Sequence, residues 1–174
     1  MIAHHVYPVP KPPIVTYVKL FFYKTLVRPK LEYASSLWDL KTESLVGALE
    51  AVQNRSVRFI LSNYHRTSSV TSMKKCLSLP TLSLRRKFYR LSLFQKIFFH
   101  NPILKTELLL EPSYISSRND HIHKVEIPQC HTNTYYRSFI PRTSADWNHL
   151  STSIATIVNP VDFKNAVSIL LGLD

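Results

Sequence analysis

Glycine is almost missing from this chain: Gly47 and Gly172 are the only two among 174 residues. Phosphate-cradling loops and dinucleotide fingerprints need several closely spaced glycines, because only there can backbone approach a phosphate. Both are excluded. Cysteine is equally scarce, with Cys76 and Cys130 alone. No disulfide framework can be built from that, and an intracellular setting, nuclear or cytoplasmic, is the default expectation. No apolar run approaches the ~20 residues that a bilayer-spanning helix requires, so no membrane partner is expected. Acidic residues are few, 11 against 22 Lys plus Arg. Asp39, Asp120, Asp146, Asp162 and Asp174 are scattered, with no acidic doublet. Two-metal phosphoryl chemistry places its ions about 4 Å apart between shared carboxylates, and no such ligand set is recognisable. No G-x-S-x-G elbow marks a nucleophile. No catalytic residue, cofactor or small-molecule substrate is assigned.

What is present is apolar and basic. Hydrophobic residues make up 45% of the chain, enough for most of it to fold. The formal charge of +11 favours a polyanionic partner, with nucleic acid ahead of a membrane surface. Charge that serves only solubility is the competing reading. The first residues, MIAHHVYPVPKPPIV, lack the charged start and apolar core of a signal peptide. Four prolines in the first thirteen residues predict an extended, disordered lead-in over residues 1–18.

Periodicity predicts helices through most of the remainder. Through YKTLVRPKLEYASSLWD and the turn before it, residues Leu20, Tyr23, Val27, Leu31, Ala34 and Trp38 recur at steps of three and four, one stripe of a helix. Pro29 lies about 200° around the axis from Val27, on the opposite face. A mid-helix proline costs ~3 kcal/mol. Burial of the stripe offsets that, at roughly 1.5–3 kcal/mol for each large side chain. The expected result is a helix bent at Pro29. A second helix is expected from an N-cap at Thr42, with Leu45, Leu49, Val52, Ser56 and Phe59 on one face, widened by Val46 and Ile60, and Arg55 and Arg58 beside it. A short helix from Ser69 to Leu77 ends before Pro80.

The third long helix, SLRRKFYRLSLFQKIFFH, has two characters. Leu84, Phe88 and Leu91 oppose Arg86 and Arg90 in its first half, while its second half is apolar on all sides and therefore buried. Asn101 and Pro102 stop it and begin a short helix through Leu110. Beyond Glu111, HKVEIPQ and NTYYRSFIP read as two short strands, a possible hairpin. Ser144 is the expected cap of SADWNHL, and a last helix carries Val161, Phe163, Val167 and Leu170 on one side. The fold class is mainly α: an irregular bundle of about five to seven helices with a short β-hairpin in the C-terminal third.

Three constellations bear on chemistry. His121, His123, Cys130 and His131 fall within eleven residues, yet no C-x2-C pair exists and Cys130 and His131 diverge in an extended chain. A polar loop is the better reading, and no metal is assigned. Arg55, Arg58, Arg85, Arg86, Lys87 and Arg90, with Lys74 and Lys75 between them, could track a phosphate backbone without reading bases. A merely solvated basic face competes with that. Tyr64, Tyr89, Tyr135 and Tyr136 could stack on bases, although tyrosine more often lines a core or rim.

Four segments occur in an order that resembles a known family: YKTLVRPKLEYASSLWD, LEAVQNRSVRFIL, SLPTLSLRRKFYRLSLFQKI and YYRSFIPRTSADWNHL. They are similar to the region after the polymerase palm in non-LTR (LINE-like) retrotransposon reverse transcriptases of arthropod type, from about Lys19 to about Leu171. The resemblance implies a piece of a larger RNA-directed DNA polymerase. On that reading residues 19–110 are a helical thumb-like region, residues 111–174 a C-terminal region, and residues 1–18 unmatched. It also implies that the catalytic aspartates lie in a palm this chain lacks, so the chain alone is expected to be inactive. The expected partners are RNA or DNA backbone and the missing palm. A helical interaction remnant with no nucleic-acid partner is the alternative.

Overall fold

The computed structural model describes residues 13–33, 35 and 43–173, and among them the chain is mainly helical. Seven helices have seven residues or more: α1 (Ile14–Phe22), α3 (Glu43–Ile60), α4 (Val70–Cys76), α5 (Leu82–His100), α6 (Pro102–Leu108), α8 (Phe139–Asn148) and α10 (Pro160–Leu171). Single turns form α2 (Arg28–Glu32), α7 (Asn133–Tyr136) and α9 (Thr152–Ala155). The expected stripe positions Ala34 and Trp38, the expected cap Thr42 and residues 1–12 of the lead-in lie outside the described residues, whereas residues 14–18, expected to be extended and disordered, form the first turns of α1.

The strain expected at Pro29 is taken up by its neighbours. Tyr23–Val27 is a five-residue π-helical segment between α1 and α2, closed by the Arg28 N–H donating to the Tyr23 carbonyl. Pro29 has no N–H, and its ring crowds the carbonyl of Thr25, so the wider winding relieves the clash. Pro29 itself is exposed. On the inner face Tyr23 is buried, and its hydroxyl donates to Gln53 Oε1 at 3.2 Å. Gln53 in turn donates to the Pro80 carbonyl at 2.9 Å. Burial pushes the Tyr23 pKa up to about 12, so the phenol stays a donor throughout the physiological range.

Two apolar clusters hold the helices. The smaller joins Tyr23 to Val57 and Ile60 of α3 and to Met73, Leu77 and Leu79. The buried face of α3 is therefore Gln53, Val57 and Ile60, not the expected row through Phe59, which is 55% exposed. The larger cluster brings Leu91, Phe94 and Ile97 of α5 against Trp147, Leu150, Phe163 and Val167. The second half of α5 is buried as its composition requires. Gln95 ties it to the chain before α10, donating to Val158 O at 2.6 Å and Ile157 O at 3.2 Å. Glu50 links three helices: it accepts from Lys74 Nζ at 2.8 Å and from the Ser83 N–H in the first turn of α5 at 3.2 Å. A carboxylate at that end also complements the helix dipole.

The C-terminal third differs from expectation. In place of a hairpin there is a single antiparallel bridge between Leu110 and Glu126, and no strand occurs among the described residues. Asn148 supplies the reason at Val125: its side-chain amide accepts from the Val125 N–H at 3.0 Å and donates to the Val125 carbonyl at 2.8 Å. A side chain thus satisfies backbone groups that a partner strand would otherwise take. NTYYRSFIP is helical, because Thr132 caps α7 by accepting from the Tyr135 N–H at 3.2 Å and α8 starts at Phe139. Ser144 is not a cap. It is buried inside α8, whose N-cap position is Ser138.

Glycine scarcity leaves its mark where helices end. After α10, Gly172 adopts φ 62° and closes the helix, with Leu173 N–H donating to Ser168 O at 3.0 Å. Serine does the same work after α3 and α4. Ser62 has φ 50° and Ser78 φ 49°, with the bonds Asn63 N–H to Arg58 O at 3.0 Å and Leu79 N–H to Lys74 O at 2.9 Å. A β-carbon in this left-handed region costs about 1–2 kcal/mol, partly recovered because glycine loses more chain entropy on folding. Ser78→Gly is therefore expected to stabilise the protein by about 0.5–1 kcal/mol, seen as a higher urea midpoint at unchanged slope. Ser62→Gly should gain less, since Ser62 Oγ accepts from Lys19 Nζ at 2.9 Å.

Candidate nucleic-acid interface

The six basic residues expected to contact a phosphate backbone do not form one face. Arg86 and Arg90 are only 3% and 2% exposed. Arg90 Nη2 donates to Asp146 Oδ2 at 2.9 Å, and Lys87 reaches Asp146 Oδ1 at 2.8 Å. Arg58 staples the loop after α3, donating to His65 O at 3.0 Å and Ser68 O at 3.4 Å. Arg85 is paired with Glu32. Of the six, only Arg55 is exposed. The helix that was expected to present Arg86 and Arg90 outward instead points them inward.

The basic surface that does converge lies along another face of α5. A groove of about 510 Å³ runs between α5, the π-helical segment with α2, and α10, and Lys24, Arg28, Lys96 and Lys164 line it. None of these four forms an ion pair among the described residues. Pro29 and Leu93 add apolar wall, Tyr33 stands at the groove with 75% of its surface exposed, and Tyr89 lies deeper.

Arg85, Glu32 and Tyr89 form the floor. Arg85 grips the Glu32 carboxylate through both Nε and Nη2, the latter at 3.0 Å, and Nη2 also donates to the Tyr89 hydroxyl at 2.8 Å. The Tyr89 hydroxyl completes the triangle by donating to Glu32 Oε2 at 3.3 Å. The hydrogen bond donated to Glu32 is the main reason the Arg85 pKa is raised, and burial is the main reason that of Tyr89 is raised. Within this network the Glu32 charge is matched by Arg85. The potential of the groove is then set by the four remaining cations, which a low-dielectric concavity focuses on an anion. Sequence spacing offered one trace of the site: Arg85, Tyr89 and Lys96 recur along one face of α5. Lys24, Arg28 and Lys164 carried no signal, because they come from elements distant in sequence.

The histidine group is structural. His121 is 2% exposed, and its Nε2 donates to the Trp147 carbonyl at 3.0 Å. His123 lies edge-on to Phe98 and Phe99, and burial holds its pKa below the usual imidazole value. Cys130 Sγ contacts the Pro128 carbonyl at 3.0 Å, and His131 is exposed. Among the described residues no group of three His, Cys, Asp or Glu side chains is arranged to hold a metal ion. No described helix is long and apolar enough to cross a membrane.

A second surface is apolar. Ile14, Phe21, Phe22 and Leu26 are 82%, 63%, 52% and 58% exposed along α1 and the π-helical segment. Phe22 and Leu26 meet Phe59 of α3 in a groove of about 340 Å³. Lys19 fixes the two elements together: its ammonium donates to the Phe59 carbonyl at 3.1 Å and stands 4.6 Å over the Phe59 ring. No protein-family model matches the chain, and no curated protein or solved structure is significantly similar to it.

Proposed function

We propose that this chain is the thumb and post-thumb region of a non-LTR retrotransposon reverse transcriptase, binding RNA or DNA through the backbone and not catalysing polymerisation alone. The observation that carries the binding reading is the groove in which Lys24, Arg28, Lys96 and Lys164 converge, while Glu32, the one carboxylate in its lining among the described residues, is matched by Arg85. The motif order supplies the family. Phosphate contacts of this kind give affinity without base selectivity. In this reading the apolar surface of α1 docks on the palm of the parent protein.

Four neutralised phosphates set the test: log affinity for a single strand should fall with log salt at a slope of about −3. Lys96→Glu with Lys164→Glu should weaken binding and flatten that slope by roughly half. Both side chains are exposed, so the fold should survive. Affinity independent of salt, or intact in the double variant, would sink the proposal.

The exposed row Ile14, Phe21, Phe22 and Leu26 favours a second reading, a helical interaction module without a nucleic-acid partner. Absence of any nucleic-acid binding at low salt would leave that one standing.

A further inference from the structure

We infer that the groove between α2, α5 and α10 takes single-stranded nucleic acid in preference to a duplex, with Tyr33 as the stacking platform for one base. The inference rests on the backbone-binding reading above and names its substrate class. Three features of the groove lead to it.

Its cations are arranged around a concavity and not along a flat or convex face. Lys24 and Arg28 line one wall, Lys96 lies on α5, and Lys164 comes from α10. A volume of about 510 Å³ admits a short run of sugar and phosphate. It does not admit the body of a double helix, which could present only its outer phosphates to the rim. A duplex is also stiff, so its phosphates cannot turn inward to meet cations on three sides. A single strand can.

An aromatic ring stands where a base would emerge. Tyr33 follows α2 directly and is 75% exposed beside Arg28 and Glu32. In a duplex the base faces are covered by their neighbours. A strand offers its bases to such a ring, and base–aromatic stacking tolerates any sequence. Tyr89 cannot take this role, because its hydroxyl is held by Arg85 and Glu32 and the Arg85 guanidinium lies 5.6 Å from its ring centre.

The groove floor is also rigid. The Arg85–Glu32–Tyr89 triangle ties α2 to α5 from beneath. The backbone at Tyr33, one residue past Glu32, is thereby anchored beside the groove, leaving its exposed ring open to a base.

The test compares an oligouridylate strand with an RNA duplex of equal length at one low salt concentration, by fluorescence anisotropy. The strand should bind about tenfold tighter or more, and Tyr33→Ala should weaken strand binding by roughly 5- to 100-fold while leaving duplex binding unchanged. Tyr33→Phe should keep the strand affinity, because the ring and not the hydroxyl is used. Lys164→Gln, on a different helix, should weaken the strand as well, and a thermal melt of each variant confirms folding. Equal or tighter duplex binding overturns the inference while leaving the backbone-binding proposal intact. So does a folded Tyr33→Ala variant with full strand affinity. If neither nucleic acid binds, the proposal and the inference fall together.

Discussion

Replacing Trp147 with alanine is expected to remove about 3–5 kcal/mol of stability, the range for emptying a large buried aromatic site. The indole has no exposed surface and is surrounded by rings: Phe94 at 5.1 Å, Phe98 at 5.5 Å and Phe163 at 5.8 Å between centroids. It also does what a purely apolar ring cannot: its Nε1 donates to the His123 carbonyl at 2.8 Å. Truncation therefore opens a cavity and leaves the His123 carbonyl without its donor, and the segment 121–125 loses an anchor to α8. For a chain of this length a loss of that size lowers Tm by roughly 10 °C or more. Trp147→Phe should fall between wild type and Trp147→Ala, restoring ring packing without the hydrogen bond. Urea unfolding of the three proteins separates these contributions. A Trp147→Ala midpoint near wild type would show that the larger cluster is not the stabilising centre of the fold.

How far the sequence foretold this arrangement differs by element. The 3.6-residue period located the long helices, because a stripe such as Leu91, Phe94 and Phe98 is a local property of the chain. Local rules also found Pro29 on the wet face and the stop at Asn101 and Pro102. They failed where the deciding partner is remote. Arg90 read as an outward phosphate contact because Asp146, 56 positions beyond it, cannot be seen as a partner from spacing. The buried row of α3 shifted from Phe59 to Val57 because α4 and Tyr23 press on that side, and only tertiary contact decides between adjacent rows. The strand signal in NTYYRSFIP was its content of aromatic and β-branched residues, but Thr132 offered a helical cap and no partner strand competed among the described residues. For the candidate site the result was similar. Arg85 and Tyr89 were named from their run on α5, whereas Lys24, Arg28 and Lys164 became a site only when three elements met.

The Arg90–Asp146 pair yields the other large effect, and its direction is asymmetric. Asp146→Ala leaves the Arg90 guanidinium, 2% exposed, without its carboxylate. Breaking a buried pair from that side costs about 3–5 kcal/mol, because the remaining charge has lost its compensation and has little water in its place. Arg90→Met should cost less, about 1–2 kcal/mol, since Asp146 keeps Lys87 at 2.8 Å and its side chain is 22% exposed. The long thioether also fills most of the space the arginine leaves. Removing both charges in Arg90→Met with Asp146→Leu should recover most of the loss, as apolar replacements of buried pairs commonly do. A double-mutant cycle read by urea midpoints measures the coupling directly. Equal losses in the two single variants would mean that the two charges are equally compensated once alone, contrary to their burial. The asymmetry also governs how nucleic-acid binding is probed. A charge reversal at Arg90 would destabilise the fold, so the proposed backbone contact is better tested at exposed cations such as Lys96 and Lys164.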